Sequence, residues 1–385
     1  MNRSSLLMVT RNLPPLRGGM ERLNDEMVAT LSSTFDVTVI APKGTDPGSG
    51  WHPSTRLLTS PLGGVGGFLA WAFFAATWCA FRRRPRWVVG GSGLVAPIVC
   101  MAGLWASATA LYLHGLDIIV DHALYRRVWL PCIRRVTLVL SNSRNTASLA
   151  QDAGIARSRI RIINPGTSLP AHAKGDGSFR RAHGLGDGPL LLSVGRLTRR
   201  KGLTAFVQDV LPALVARHPG MRLAVVGGDA VDALVGGTGH VEALRAAVST
   251  AGLGAHVAIV GPVDEASLAA AYRDADVHVF PVVAVPGDVE GFGMVAIEAA
   301  AHGLPTVAYA VGGVPDAVAQ GESGILVAAG NASLFAAALD DVIRRGRAGY
   351  AEGCLRFASG FGWPRFGAQM TQALAASTSR AAAEP

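Results

Sequence analysis

The chain has 385 residues, of which half are hydrophobic, 16% are charged, 6% are aromatic and 47 are glycine. This length predicts two domains, and the small, aliphatic composition favours an α/β protein with buried parallel strands over a disordered chain. The formal charge of +8 requires an anionic partner or surface. Because no nucleic-acid-binding module is recognisable and aromatic residues do not interleave with the basic ones, we expect no nucleic acid among the partners.

The four cysteines, Cys79, Cys100, Cys132 and Cys354, have no paired spacing. We therefore expect reduced, structural thiols, and neither a disulfide framework nor a cysteine metal site. The apolar part of the N-terminal stretch is too short for a signal peptide. These features predict a cytoplasmic protein.

The first half of the chain alternates apolar strands with helices. In chain order, the pattern predicts a strand in SLLMVT, a helix from Met20 to Ser33, a strand in DVTVIAP, strands at 87–90 and 108–113 around a helix from about Ala96 to Trp105, and strands in RVTLVLSNS and RIRIINPG. Strands separated by helices imply a mostly parallel sheet.

An apolar run at residues 62–81 precedes the predicted strand at 87–90. It begins with four glycines in six positions, so we expect a helix only from Phe68 to Phe81, which is too short to span a bilayer. Its Trp71, Phe74 and Trp78 fall on one helical face. No transmembrane span is expected.

Two interpretations of this helix stay open. Its aromatic face either packs into the core or enters a membrane interface, where Arg82, Arg83, Arg84 and Arg86 would meet anionic headgroups.

A polar, glycine-rich segment at 170–188 separates the two halves, and the alternation then restarts. It predicts strands in PLLLSVGR, RLAVVGG, HVAIVGPV, DVHVFPV, PTVAYAVGG and GILVA, with helices at 203–217, 240–252, 265–274 and from about 293. This half therefore forms a second doubly wound domain. Ligands of such sheets bind beyond the carboxyl ends of the strands, so the loops that follow the strands are the candidate sites.

Two of these loops suit an anion. VGRLTRRKG offers Arg196 and Lys201 either as a pyrophosphate clamp or as a solvated basic loop, with Arg199 and Arg200 as solvated charges. PLRGGMER places two glycines before a helix, where backbone N–H groups approach an anion unless the segment is a plain turn.

The stretch EGFGMVAIEA carries two glutamates in an apolar segment. Glu290 precedes a Gly-Phe-Gly turn, and Glu298 lies within the helix that follows. A buried ionised glutamate is costly unless it has partners, and the hydroxyls of a ribose or sugar are suitable donors. The structural alternative is a helix N-terminus whose glutamates bond to backbone.

Together these motifs resemble those of the retaining glycosyltransferases of family 4, which have the GT-B fold. GDVEGFGMVAIEAAAHGLPTVAYAVGGVPDAV resembles their E-x7-E block, VGRLTRRKG their phosphate loop, GGMER their first glycine loop, LHGLD their active-site histidine segment and FGWPRFGAQM their terminal stretch. The likeness covers nearly the whole chain, in order. It implies an α/β fold of two Rossmann-like doubly wound domains facing across a cleft, with an acceptor-side domain at 1–171, completed by a helix at 363–380, and a donor domain at 172–362.

The resemblance implies a role for each matching residue. Arg196 and Lys201 would bind the diphosphate of a nucleotide sugar, Glu298 its ribose, and Glu290 the transferred sugar. Gly19 would approach the diphosphate from the first domain. The implied catalytic set is Glu290, His114, Arg196 and Lys201, and the donor-binding set is Gly18, Gly19, Arg196, Lys201, Gly228, Val263, Gly291, Phe292, Gly293, Met294 and Glu298. A lone histidine after a strand is otherwise more often structural.

The implied reaction moves a hexosyl group from a UDP- or GDP-linked sugar to a hydroxyl acceptor. PVVAVPGDVE resembles the subgroup that includes phosphatidylinositol and lipopolysaccharide mannosyltransferases, although specificity does not follow from this segment. The basic surface and the apolar helix favour a lipid-linked or cell-envelope acceptor and peripheral contact with an anionic inner membrane. Family members are thought to react from the front face of the sugar, with the leaving diphosphate helping to deprotonate the acceptor. Arg196 and Lys201 would stabilise the charge of that leaving group.

No metal, and no cofactor beyond the nucleotide sugar as co-substrate, is expected. The DAD of Asp274 to Asp276 looks like the metal-binding D-x-D of a different glycosyltransferase fold, but it falls where a helix ends and a strand begins. A nucleotide-sugar epimerase or a sugar phosphorylase on the same fold remains an alternative. A silent sugar-nucleotide binding protein is another, although intact Arg196, Lys201 and Glu290 argue against it.

Overall fold

The computed structural model describes residues 3–16, 18–170, 175–229 and 237–381. The chain divides into two compact units, Met1–Gly166 with Trp363–Pro385, and Thr167–Gly362. The expected domain boundary between residues 171 and 172 lies outside the described residues.

The first unit is built on a parallel sheet. In the described part of the chain its strands are β1 (Ser5–Val9), β2 (Asp36–Ala41), β3 (Arg56–Thr59), β4 (Trp87–Gly90), β5 (Ala108–Leu113), β6 (Leu138–Ser141) and β7 (Ile160–Ile162). They lie in the order β3-β2-β1-β4-β5-β6-β7, and all neighbouring pairs are parallel. The sequence did not predict β3, because this edge strand is largely exposed and lacks an apolar run.

Helices cover both faces of this sheet. They are α1 (Gly19–Thr34), α2 (Gly64–Arg83), α3 (Ala96–Ala102), α4 (Leu116–Ile119), α5 (Leu130–Arg135) and α6 (Arg144–Asp152). Leu6 and Met8 of β1 join the core that contains the buried face of α1, whereas Leu7 and Val9 join the core under α2 and α3. The two-residue period of a strand produces this division.

The apolar helix α2 is longer than the sequence indicated. It begins at Gly64 and runs for 20 residues, so by length and composition it could cross a membrane. The expectation of a helix too short to span a bilayer is therefore wrong. Tertiary packing overrides the low helix propensity of its glycines: Phe68, Ala72, Ala76 and Ala80 form a buried stripe against the sheet.

Of the three aromatics on the expected face of α2, Trp71 is partly buried and packs against that core, whereas the other two point away from it. Phe74 is 72% exposed and Trp78 is 61% exposed. The small residues of the buried stripe let the helix approach the sheet closely, which leaves the bulky side chains outside. Packing of this aromatic face into the core, one of the two interpretations of the helix, is therefore wrong for these two residues.

The second unit repeats the architecture. Its described strands are β8 (Leu190–Val194), β9 (Arg222–Val226), β10 (Val257–Gly261), β11 (Val277–Phe280), β12 (Thr306–Tyr309) and β13 (Gly324–Val327). Their order is β10-β9-β8-β11-β12-β13, again with parallel neighbours throughout. The prediction of two doubly wound parallel sheets is confirmed.

The helices of this unit are α7 (Ser178–Ala182), α8 (Leu203–Asp209), α9 (Leu211–Arg217), α10 (His240–Thr250), α11 (Glu265–Asp274), α12 (Met294–Ala301), α13 (Val314–Ala317), α14 (Ala332–Arg345) and α15 (Ala348–Ser359). The single helix expected over 203–217 is two helices separated at Val210. Pro212 lies in the first turn of α9, where its missing N–H costs no helical hydrogen bond.

The last helix, α16 (Trp363–Ala381), belongs to the first unit. Phe366, Met370 and Leu374 are buried in the core that also contains α1. The chain therefore returns to its first unit after completing the second.

Candidate active site

The loops that follow the strands of the second sheet are hydrogen-bonded to one another. The N–H of Leu197 donates to the carbonyl oxygen of Gly228 at 2.7 Å, and the N–H of Gly227 donates to that of Gly261 at 2.9 Å. This contact places the loops carrying Gly228 and Val263 beside the loop after β8. These two candidate donor-binding residues thus lie on loops at one edge of the sheet.

The basic loop after β8 is held in a tight conformation. Residues Arg199–Lys201 form one 3-10 turn that ends at Gly202, whose φ is +68°. A Cβ on Gly202 would lie 2.0 Å from the carbonyl oxygen of Pro281, in the loop after β11. Only glycine suits this position, because the backbone needs a positive φ and the neighbouring chain leaves no room for a side chain.

Four charged side chains form a half-buried cluster at this edge. The Nζ of Lys201 lies 2.9 Å from Oε2 of Glu290, and Nε of Arg200 lies 3.2 Å from the same oxygen. Nη1 of Arg200 also lies 3.4 Å from Oδ2 of Asp288. The expectation that Arg200 is a solvated charge is wrong, since its side chain is only 17% exposed and contacts two carboxylates.

Electrostatics keeps this cluster charged. Burial raises the pKa of the Glu290 carboxyl, but the charges of Lys201, Arg200 and Arg196 lower it by more, so the pKa lies below its ordinary value. Burial lowers the pKa of Lys201, and the charge of Glu290 partly opposes that effect. Glu290 is therefore an ionised acceptor at neutral pH.

His278 lies close to this cluster but adds no charge. Burial, together with the charge of Lys201, lowers the pKa of His278 to about 3. Its Nδ1 lies 3.1 Å from Oγ1 of Thr306. Lys201 also places Nζ 4.6 Å from the ring centre of Phe280, within the range of a cation–π contact.

The turn after Glu290 presents unpaired backbone donors. Gly293 has φ +102°, and a Cβ there would lie 2.8 Å from Cε1 of Phe280, so only glycine fits. Within the part of the chain that the structure describes, the N–H groups of residues 291–294, at the start of α12, donate to no protein acceptor. These are Gly291, Phe292, Gly293 and Met294. A helix N-terminus with unpaired N–H groups favours an anion or a polar ligand.

Glu298 has different neighbours from Glu290. It lies on α12, and its Oε2 accepts a hydrogen bond of 3.1 Å from the hydroxyl of the buried Tyr272 on α11. Tyr272 in turn stacks on the ring of His302, whose Nδ1 lies 2.9 Å from the Glu298 carbonyl oxygen. The two glutamates of the motif are thus held by separate groups of side chains.

His114 of the first unit is fixed at three points. Its Nε2 lies 2.9 Å from the carbonyl oxygen of Gly91, its N–H donates to Oδ2 of Asp117 at 2.8 Å, and its carbonyl oxygen accepts from Nδ2 of Asn142 at 3.4 Å. A carbonyl oxygen can only accept, so Nε2 carries the proton. In the neutral ring, Nδ1 is then an acceptor.

The helix that follows the first glycine pair contributes to this network. Gly18 precedes α1, and Gly19 is its first residue. Asn24 of α1 reaches the same Gly91 carbonyl oxygen that His114 contacts. The carboxyl ends of β1, β4 and β5 thus meet around one carbonyl group of the first unit.

The Asp-Ala-Asp segment has a structural role. Asp274 accepts hydrogen bonds from the N–H groups of Gly177, Phe179 and Arg180, and Asp276 pairs with the Arg180 guanidinium at 2.8 Å. Among the described residues, no group of three or more His, Cys, Asp or Glu side chains has the arrangement of a metal site.

Comparison with known families agrees with this geometry. The chain matches the family described as Glycosyl transferases group 1 over residues 188–345, and Glycosyltransferase Family 4 over residues 17–169. The two matches together cover most of both units. The chain carries a Glycosyltransferase Family 4 domain followed by a Glycosyl transferases group 1 domain.

Two relatives illustrate the range of the family. The GDP-mannose-dependent alpha-(1-6)-phosphatidylinositol monomannoside mannosyltransferase of Mycolicibacterium smegmatis is 27% identical over 380 residues, which cover 90% of this chain and 91% of that protein. The D-inositol 3-phosphate glycosyltransferase of Mycobacteroides abscessus is 36% identical over 207 residues, which cover 53% of this chain and 44% of that protein. The chain thus spans about half the length of the latter relative.

Solved structures share the fold. Anabaena HepE, in complex with UDP and glucose, superposes with a TM-score of 0.77 at 19% identity, covering 97% of this chain and 100% of that one. The sucrose-phosphate synthase of Thermosynechococcus elongatus gives 0.77 at 23% identity, covering 96% and 98%. This chain therefore has the GT-B fold.

Sequence reasoning missed several residues of this chain that support the candidate site. Arg200 and Asp288 join the charged cluster, and Asn24 joins the His114 network. Glu21, in the first turn of α1, is buried and accepts from Nδ2 of Asn12 at 2.7 Å. Glu21 had a usable signal, because it follows the glycine pair at the start of a helix; no comparable signal singled out Arg200.

Proposed function

We propose that this chain is a retaining hexosyltransferase that uses a UDP- or GDP-linked sugar and a hydroxyl acceptor. The observation that carries the proposal is the arrangement at the carboxyl edge of the second sheet. There a buried ionised Glu290, the cation Lys201 and the unpaired N–H groups of residues 291–294 lie on adjoining loops. Hydrogen-bond donors that can bind an anion, beside a fixed carboxylate, suit a ligand that contains both a diphosphate and a sugar.

In this proposal, each group has one task. Arg196 and Lys201 hold the diphosphate, the backbone N–H groups of 291–294 and Glu290 orient the sugar, and Glu298 accepts the ribose hydroxyls. The bond between the anomeric carbon and the diphosphate oxygen breaks, and a bond from that carbon to the acceptor oxygen forms on the same face. The acceptor proton passes to the leaving diphosphate, whose charge the two cations stabilise.

His114 completes the proposed catalytic set from the first unit. The proton on Nε2 is committed to the Gly91 carbonyl oxygen, so Nδ1 is the ring atom that can accept from a ligand hydroxyl. The resemblance implies that this ligand is the donor sugar. No metal ion has a role in the proposal.

A panel of nucleotide sugars tests the function directly. A donor present at ~100 times its Kd should stabilise the fold by roughly 2.7 kcal/mol. UDP- or GDP-linked hexoses should therefore raise the Tm by more than other nucleotides do. NMR of the product then separates the reactions. A transferase needs an acceptor and keeps the anomeric configuration, an epimerase needs no acceptor, and a phosphorylase needs inorganic phosphate.

A lipid-linked or cell-envelope glycan is the proposed acceptor class. The name of the M. smegmatis relative specifies a phosphatidylinositol mannoside acceptor for that protein. A lipid acceptor requires the enzyme to work at a bilayer surface. The exposed aromatic side chains on the outer face of α2 suit contact with such a surface, which supports a lipid-linked acceptor for this chain.

We further propose that the outer face of α2 rests on an anionic bilayer. Phe74, Trp78 and Phe81 are exposed on it, and Leu104 in the adjoining 3-10 turn is 71% exposed. The guanidinium of Arg82 lies 5.6 Å from the Trp78 ring centre. Aromatic side chains beside arginines match the boundary between acyl chains and anionic headgroups. The proposed location is therefore cytoplasmic, peripheral to the inner membrane face.

A further inference from the structure

Arg200 connects the two carboxylates of the charged cluster. Its Nε contacts Oε2 of Glu290 and its Nη1 contacts Oδ2 of Asp288. Its carbonyl oxygen accepts from the N–H of Val283 at 2.9 Å, so its backbone is fixed to the loop after β11. The adjacent Arg199 is exposed. Two arginines in one turn therefore have opposite surroundings.

The proposed donor diphosphate would compete with Glu290 for one of its two cations. In the structure, Lys201 and Arg200 both lie against the same oxygen of Glu290. A diphosphate bound to Lys201 would draw that cation away from the carboxylate. A buried carboxylate without a paired cation is strongly disfavoured, and the neutral His278 cannot replace the lost charge.

We propose that Arg200 is a positioning residue, which keeps Glu290 ionised and oriented toward the sugar while Lys201 is engaged by the donor diphosphate. Asp288 supports this role from the other side, because it gives the guanidinium a second anchor that does not depend on the donor. The inference rests on the proposed function and deepens it.

The test compares Arg200→Gln with Arg199→Gln, a matched change at the exposed neighbour. Titration with UDP and GDP should give both variants a Kd within about threefold of the wild type, because the phosphate ligands remain. The kcat of Arg200→Gln should fall at least about tenfold, and that of Arg199→Gln should not change. Arg200→Lys keeps a charge but cannot bridge both carboxylates, and should recover only part of the loss.

A second readout needs no substrate. The groups facing Glu290 are Lys201, Arg200 and Arg196, and Asp288 faces Arg200. A carboxylate with a lowered folded pKa stabilises the fold above its unfolded pKa and loses that contribution as the pH falls through the folded value. Removing Arg200 raises the folded pKa, so the Tm of Arg200→Gln should begin to fall at a higher pH than that of Arg199→Gln.

Three results would overturn the role. Arg200→Gln could lose UDP and GDP as severely as Lys201→Met does, which would make Arg200 a phosphate ligand. It could match Arg199→Gln in kcat while the wild type is active, which would make it a structural charge. A wild-type chain that turns over no nucleotide sugar would overturn the proposed function and this role with it.

Discussion

Lys201 and Glu290 form a direct ion pair across 89 positions of sequence, with Nζ 2.9 Å from Oε2. The resemblance assigns one residue to the diphosphate and the other to the sugar, so the pair joins the two halves of the proposed donor site before any donor binds. Arg200 contacts the same oxygen of Glu290, so the proposal leaves that carboxylate with a paired cation when the donor diphosphate engages Lys201.

Gly293→Ala should disturb the turn that presents the N–H groups of residues 291–294. Alanine is strained at φ +102°, and its Cβ would press on Phe280. We expect a loss of stability on the order of 1–3 kcal/mol and weaker binding of the intact nucleotide sugar, whose sugar these N–H groups orient in the proposal. Gly330→Ala is the control. It also places alanine at a positive φ, +74°, but nothing lies within 4 Å of the added carbon. Thermal melts and titrations in which the two variants behave alike would contradict the prediction.

His114→Ala should separate chemistry from nucleotide binding. The ring lies in the first unit, whereas the proposed diphosphate cations lie in the second. We expect kcat to fall at least about tenfold, with the Kd for UDP or GDP nearly unchanged. His122→Ala, at an exposed site on the same unit, serves as control. Equal kcat values for the two variants would return His114 to a structural role.

Turnover should survive excess EDTA. Asp274 and Asp276 are occupied by the start of α7 and by Arg180, and are not arranged to hold an ion. The measurement is initial rate with and without the chelator, followed by addition of Mg²⁺ or Mn²⁺. Complete loss that either ion restores would show that the metal-independent proposal is wrong.

Removing the exposed aromatics of α2 should weaken binding to membranes. The wild type should float with phosphatidylglycerol vesicles at low salt and less at high salt, because arginine contacts with headgroups are screened. Phe74→Ser with Trp78→Ser should reduce flotation strongly, while Leu334→Ser, at an exposed leucine of the second unit, should not. If the wild type does not float with the vesicles at low salt, the proposed membrane contact is wrong. If carbonate does not release the bound protein from the vesicles, a segment spans the bilayer instead.

The parallel arrangement of the two sheets was predictable because apolar runs separated by helices mark a parallel sheet. That pattern placed Lys201 and Glu290 on loops at one edge. It could not separate Arg199 from Arg200, since consecutive residues of a 3-10 turn point in directions about 120° apart and the turn's orientation is set by distant contacts. Here the deciding contact comes from Asp288, 88 positions away.

The length of α2 shows a different limit. Its glycines predicted a loop before Phe68, yet the helix begins at Gly64 because Phe68 and three alanines bury against the sheet. Local propensity costs of about 1 kcal/mol for each glycine are smaller than the gain from that packing. The edge strand β3 was missed because its residues are largely exposed, so it lacks the apolar run that would predict a strand.

The most direct test of the account is titration of Glu290→Gln and Glu298→Gln with UDP or GDP and with the intact nucleotide sugar. Hydrogen bonds to a charged group contribute roughly 1.5–3 kcal/mol, so Glu298→Gln should weaken the diphosphate and the donor alike, by about ten- to a hundredfold. Glu290→Gln should leave the bare diphosphate nearly unaffected while kcat falls, by ~100-fold if it orients the reacting sugar. If Glu290→Gln loses the diphosphate as badly as Glu298→Gln, or if neither change affects binding or turnover, the proposed donor site is contradicted.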